Sequence, residues 1–185
     1  DLHELLFKML INDWRIHFKK PELPFYYVQL SSINRPNWGV FRDSQRKLLA
    51  IENTGMAVSS DVGHETDVHA TQKWIVGERL AKVALAKSYN KSMAFSGPLL
   101  DYVNVIGNTL EVHFKHGEGL KTVDGTAVKD IEIAGVDKIF VKANTDIKGS
   151  TLIVWSENIK NPRYVRYGYA SFTNGNLINK SNLPA

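Results

Sequence analysis

The chain has 185 residues, a formal net charge of +4 and no cysteine. The absence of cysteine excludes disulfides and cysteine-ligated metal sites. Its Lys and Arg residues are scattered rather than clustered, which argues against a nucleic-acid-binding face. No apolar run approaches the roughly 20 residues of a membrane span. We therefore expect a globular protein whose partners are neither nucleic acid nor membrane.

The first half of the sequence alternates predicted helices and strands. Periodicity predicts helices over residues 1–19, 38–49 and 71–88, and buried strands over 25–30 and 55–60. This order predicts a parallel sheet with right-handed crossovers, and hence an α/β fold. Two strands are too few for a stable doubly wound domain, so we expect part of that domain to lie N-terminal to the chain. The start at Asp1, within a helical pattern and without an initiator Met, fits an internal start.

One face of the first predicted helix is strongly apolar. At helical spacing it carries Leu2, Leu5, Leu6, Met9, Leu10 and Trp14. If neighbouring strands are absent, we expect this face and that of the helix over 71–88 to stay open.

A polar turn over residues 61–70 carries the candidate chemistry. It follows a buried strand, and ligands in open α/β sheets bind at the carboxyl ends of strands. Asp67 lies two residues before His69, so its carboxylate can hold the ring in place as a general base. Asp61 is the competing acid, a backbone carbonyl is a third way to orient the ring, and turn capping is the alternative role for Asp67. His64 is interpreted as a solvated turn residue.

The second half changes to the alternating pattern of strands. A linker is predicted over residues 88–98. A two-residue hairpin turn is predicted at Gly107–Asn108 and a further turn over 123–126. Strands are predicted to either side of that hairpin and over 130–134, 138–143, 151–155 and 163–169, with an irregular tail over 171–185. The pattern favours two domains, residues 1–92 and a β-sandwich-like domain over 93–185.

Several motifs resemble the sialate O-acetylesterase family, within the SGNH (GDSL-like) group of serine esterases. They are Trp14-Arg15, the strand Pro24 to Leu30, the helix Trp38 to Gln45, Asn53 to Val58, Asp67-Val-His69, Val76-Gly-Glu-Arg-Leu80, Val165-Arg-Tyr167, Asn176-Leu177 and Leu183-Pro-Ala185. Two departures concern the acid and base. Ala70 stands where the family usually has Pro, and one residue separates Asp67 from His69 where the wider group mostly has two.

The resemblance implies a fold and an activity. The fold is the C-terminal half of a flavodoxin-like, three-layer α/β/α SGNH domain followed by a smaller all-β domain. The activity is hydrolysis of O-acetyl groups from sialic acids or related glycans, with His69 as base and Asp67 as acid and with no metal or organic cofactor. Arg42 and Gln45 are candidates to shape the pocket, although a salt-bridged helix face is slightly favoured for them.

The resemblance also implies what this chain lacks. The family's nucleophilic Ser and its oxyanion donors lie in N-terminal motifs, and no such motif occurs here. Ser31, Ser32, Ser59 and Ser60 do not fit a nucleophile elbow. We therefore expect the chain alone to be inactive. We also expect the N-terminal segment of the same enzyme, or a second copy of the chain, to cover its open strand edges and apolar helix faces. A periplasmic or extracellular location is implied as well.

Two other classes of function remain open. A non-catalytic sugar-binding module would rest on residues 94–185 and on aromatic side chains such as Trp155, Tyr164 and Tyr169. An inactive scaffold or interaction domain is the second alternative.

Overall fold

The computed structural model describes residues 2–69 and 71–185. The chain divides into two compact units, Asp1–Phe95 and Ser96–Ala185. Across the described residues, no helix combines the length and hydrophobicity needed to cross a bilayer.

The first unit alternates helices and strands. They are α1 (Leu2–His17), β1 (Phe25–Val28), α2 (Trp38–Lys47), β2 (Thr54–Ala57) and α3 (Lys73–Lys87), with 3₁₀ turns at Leu48–Ala50 and Ser60–Val62. β1 and β2 pair in parallel, with Phe25 opposite Thr54 and Val28 opposite Ala57. The predicted parallel pairing is therefore confirmed. The strand predicted to reach Ser60 ends earlier, because Ser60 begins a 3₁₀ turn.

The core of this unit lies between the two strands and the helices. Its buried members are Tyr27, Leu48, Met56 and Val58, and Phe7 of α1 packs against them. The ring centre of Phe7 lies 5.1 Å from that of Tyr27, in an edge-on arrangement that aromatic pairs favour.

Helix α1 buries little else. Among its described residues, Ile11 has the one fully buried side chain. Leu2 is 69% exposed and Met9 57%, so the apolar face predicted from the sequence stays open in this chain.

The prediction of a salt-bridged surface at Arg42 and Gln45 is wrong, because both side chains are buried. Gln45 Oε1 accepts the backbone N–H of Leu30 over 2.8 Å, and its Nε2 donates to the carbonyl of Val28 over 3.3 Å. The Tyr27 hydroxyl donates to the carbonyl of Gln45, and burial raises the pKa of Tyr27. Gln45 thus provides side-chain hydrogen bonds to backbone groups at the end of β1. Burial also lowers the pKa of Arg42.

The second unit consists of strands. They are β3 (Leu99–Ile106), β4 (Thr109–Lys115), β5 (Lys121–Thr122), β6 (Ile131–Ala134), β7 (Val141–Lys142), β8 (Asn144–Lys148), β9 (Thr151–Trp155), β10 (Tyr164–Tyr167) and β11 (Leu177–Ile178). One antiparallel sheet has the order β3-β4-β9-β8, another β10-β6-β7, and β11 pairs with β5. The predicted hairpin at Gly107 is confirmed, since Ile106 lies opposite Thr109 and Gly107 has a φ of 58°.

One hydrophobic cluster joins the sheets of this unit. It includes Leu110 and Val112 of β4, Leu152 of β9, and Ile131 and Ile133 of β6, all buried. Alternation along β4 and β9 therefore directs every second side chain into a shared core.

The predicted irregular tail is wrong in part. Residues 177–178 form β11, and Leu183 is buried. Two buried asparagines hold this segment in place. Asn176 donates to Asp124 and to the carbonyl of Ala127, and Asn179 donates to the carbonyls of Ser96 and His116. The Asn-rich composition that predicted an irregular segment thus includes two side chains that fix it in place.

Candidate active site

The loops that follow β1 and β2 lie at the same edge of the parallel pair and are tied together. Ser59 Oγ donates to the carbonyl of Gln29, and Ser32 Oγ donates to the carbonyl of Ser60, each over 2.6 Å. The backbone N–H of His64 donates to the carbonyl of Ser32. The loop after β1 therefore supports the turn that carries the candidate acid and base.

Gly63 allows this close approach of the two loops. A Cβ atom at Gly63 would lie 2.1 Å from the carbonyl oxygen of Ser32, well inside contact distance. A larger residue would push the turn away from the loop that supports it.

Asp67 and His69 form a hydrogen-bonded pair in the turn. Asp67 Oδ1 lies 3.0 Å from Nδ1 of His69 and accepts the backbone N–H of His69 over 2.8 Å. These two hydrogen bonds, the backbone one first, lower the pKa of Asp67. A carboxylate accepts only, so in the neutral ring Nδ1 carries the proton and Nε2 keeps its lone pair.

The Nε2 edge of His69 faces solvent in this chain. The side chain of His69 is 77% exposed, and among residues 2–69 and 71–185 no hydrogen bond reaches Nε2. An imidazole oriented through Nδ1 and open at Nε2 is able to take a proton from a hydroxyl group or from water.

Asp61 is engaged elsewhere. Its two carboxylate oxygens accept Nη1 and Nη2 of Arg79, over 2.6 and 2.7 Å. Arg79 also donates to the carbonyl of Val58, so the pair connects α3 to the end of β2. Asp61 therefore stabilises the turn through Arg79. The carboxylate that lies against His69 is that of Asp67, not Asp61.

His64 has a structural role that sequence reasoning missed. Its Nδ1 accepts the backbone N–H groups of Thr66 and Asp67, over 3.2 and 3.1 Å. The side chain thereby orders the two residues that lead into the acid–base pair. Its partners lie only two and three residues further along the chain, so this is a local turn contact.

The serine hydroxyls near the site are not available to act as a nucleophile. Ser59 and Ser32 are buried, and their hydroxyls are committed to backbone carbonyls. Ser44 is buried too, and its hydroxyl lies 2.7 Å from Nδ1 of His3, which joins α2 to α1.

Ala70, where the family usually has Pro, lies outside the described residues. Within the described parts of the chain, no three His, Asp or Glu side chains converge as a metal site would require.

The parallel pair and the turn with Asp67 and His69 lie within a segment that matches a known family. Residues 3–86 match the family model "Carbohydrate esterase, sialic acid-specific acetylesterase". The chain belongs to this sialic acid-specific acetylesterase family.

A solved structure shares the fold over nearly the whole chain. It is the crystal structure of a carbohydrate acetylesterase from Xanthomonas citri, with 35% sequence identity and a TM-score of 0.91. The match covers 96% of this chain and 43% of that protein, so the chain spans less than half of that protein's length. No curated protein matches the chain at a significant level.

Proposed function

We propose that this chain is the C-terminal portion of a serine carbohydrate esterase that removes O-acetyl groups from sialic acids or related acetylated glycans. The observation that carries the proposal is the hydrogen bond between Asp67 and Nδ1 of His69, at the carboxyl end of β2. The family and the similar crystal structure support acetyl ester hydrolysis as the reaction. The fold proposed for the complete domain is an SGNH hydrolase, with this chain as its second half followed by an all-β domain.

In the proposed reaction, Nε2 of His69 takes the proton of a Ser hydroxyl supplied by a segment N-terminal to this chain. The Ser oxygen attacks the acetyl carbonyl, and the imidazolium returns the proton to the sugar oxygen as the ester bond breaks. His69 then takes a proton from water, which attacks the acetyl-enzyme and releases acetate. Asp67 orients the ring and stabilises its positive charge throughout.

The partners proposed from this mechanism are the N-terminal segment or a second copy of the chain. The N-terminal segment would supply the nucleophile, and either partner would cover the exposed apolar side chains of α1, such as Leu2 and Met9. The proposed location, from the family resemblance, is periplasmic or extracellular.

The test is His69→Ala in the complete enzyme. We expect a loss of several orders of magnitude in kcat on a chromogenic acetate ester and in acetate release from O-acetylated sialic acid. His17→Ala is the matched control, since His17 is an exposed imidazole on α1. Circular dichroism should show that both variants fold. If His69→Ala retains activity within about tenfold of the parent, His69 is not the base.

A further inference from the structure

The three-stranded sheet of the second unit has a basic and aromatic outer face. Ile131 and Ile133 of β6 are buried, so Glu132 between them points outward. Glu132 lies opposite Arg166 of β10 on one side and opposite Lys142 of β7 on the other. Residues directly opposite in antiparallel strands share a face, so the three charged side chains lie in one row.

Arg166 is held in place by three contacts. Its Nε donates to Glu132 over 2.7 Å, and its guanidinium carbon lies 4.0 Å from the ring centre of Phe140 and 4.5 Å from that of Tyr169. A free surface arginine loses side-chain freedom when it binds a ligand. Here the fold has already ordered the guanidinium, so that cost is reduced.

The terminal edge of this guanidinium is available to a ligand. Glu132 occupies Nε, and across the described residues no hydrogen bond involves Nη1 or Nη2 of Arg166. The side chain is 31% exposed. Two parallel N–H groups on a fixed guanidinium match the two oxygens of a carboxylate.

The charge and the aromatic surface around Arg166 fit the same ligand. Lys142 shares its row, and Lys138 lies over the ring of Tyr164, 5.4 Å from its centre. Arg166, Lys142 and Lys138 carry three positive charges and Glu132 one negative charge, so these four side chains have a net formal charge of +2. Tyr164 is 40% exposed and offers a ring against which a sugar can pack.

We propose that this face, defined by Arg166, Glu132, Lys142, Lys138 and Tyr164, binds an acidic sugar through its carboxylate. The terminal N–H groups of Arg166 donate hydrogen bonds to the carboxylate, and Tyr164 packs against the sugar ring. The choice of a sialic acid rests on the proposed function, since sialic acids carry a carboxylate. A uronic acid presents the same group and is the alternative source of that chemistry.

The test is a titration of the 185-residue chain, followed by NMR, with N-acetylneuraminic acid, its methyl ester and glucuronic acid. We expect saturable shifts of the β6 and β10 amides with the free sialic acid, and binding of the ester at least about tenfold weaker, because the ester lacks the anionic bidentate acceptor. Comparable binding of glucuronic acid would support recognition of acidic sugars in general. If glucuronic acid does not bind, the specificity of the site is restricted to sialic acids.

The matched variants are Arg166→Lys and Arg163→Lys. Arg166→Lys keeps the positive charge but removes the paired N–H groups of the guanidinium, so the affinity should fall about tenfold. Arg163 is an exposed arginine next to β10, and Arg163→Lys should leave the affinity unchanged. No saturable shift with N-acetylneuraminic acid, equal affinity for acid and ester, or full binding by folded Arg166→Lys would each overturn the proposal. The acid-to-ester comparison needs no variant. None of these measurements depends on ester turnover, so their outcome is independent of the proposed catalysis.

Discussion

Nδ1 of His69 lies 3.0 Å from Oδ1 of Asp67, and the backbone N–H of His69 donates to that same oxygen over 2.8 Å. One carboxylate oxygen therefore fixes both the ring and the backbone of the candidate base. This double contact distinguishes Asp67 from Asp61, whose two oxygens are taken by Arg79.

Asp67→Asn should reduce kcat of the complete enzyme far more than Asp61→Asn. The neutral amide in the Asp67→Asn variant would remove the negative charge that stabilises the imidazolium, a change that costs orders of magnitude in triad enzymes. Asp61→Asn should instead lower stability, because it weakens the link from α3 to β2. The measurements are ester hydrolysis and urea unfolding of both variants. Inactivation by Asp61→Asn with an active Asp67→Asn would show that the acid is misassigned.

Gly63→Ala should destabilise the first unit by about 1–3 kcal/mol, the usual cost of forcing extra atoms into a packed site. The added methyl group would meet the Ser32 carbonyl, which belongs to rigid backbone. Gly77→Ala is the control, because the position lies within α3 and no atom would be within 4 Å of the new Cβ. Alanine there should stabilise the helix by about 0.5–1 kcal/mol.

Urea unfolding of these two variants gives the comparison directly. Equal free energies of unfolding would mean that the loops after β1 and β2 separate at little cost. The support of the acid–base turn by Ser32 would then be negligible.

Because of Asp124, the stability of the second unit should depend on pH in the acidic range. Hydrogen bonds from Lys129, Asn176 and Thr126 lower the pKa of its carboxyl well below the ordinary value. This stabilisation is fully present above the unfolded-state pKa and is lost as the pH falls through the folded-state pKa. The melting temperature should therefore drop between about pH 4 and pH 2. Asp124→Asn should flatten that drop, and an unchanged pH profile would contradict the role of Asp124.

The chain on its own should show no serine esterase activity. The hydroxyls of Ser32 and Ser59 are buried and bonded to carbonyls, and the apolar side chains of α1 are exposed. We expect association of the isolated chain in solution, measured by light scattering, and no turnover of an acetyl ester. A monomer that labels with a fluorophosphonate at one of its own serines would overturn the proposal that the nucleophile comes from elsewhere.

Local pattern in the sequence was sufficient for much of the fold. Alternation and the Gly107–Asn108 dipeptide predicted the β3–β4 hairpin, and the strand predicted over 151–155 is β9. The parallel pairing of β1 with β2 followed from the order of helices and strands. Strand β8 was missed, because residues 144–148 are mostly polar, and their pairing with β9 rather than their composition makes them a strand.

The acid–base pair was also within reach of the sequence, since two residues separated by one position must lie close together. The roles of Asp61 and Gln45 were decided only by tertiary structure. Arg79 lies 18 residues from Asp61, and Leu30 lies 15 residues from Gln45. Contacts over such separations depend on how helices dock onto strands, which periodicity within one segment does not record. The same reason explains why Asn176 and Asn179 anchor a tail whose composition indicated an irregular segment.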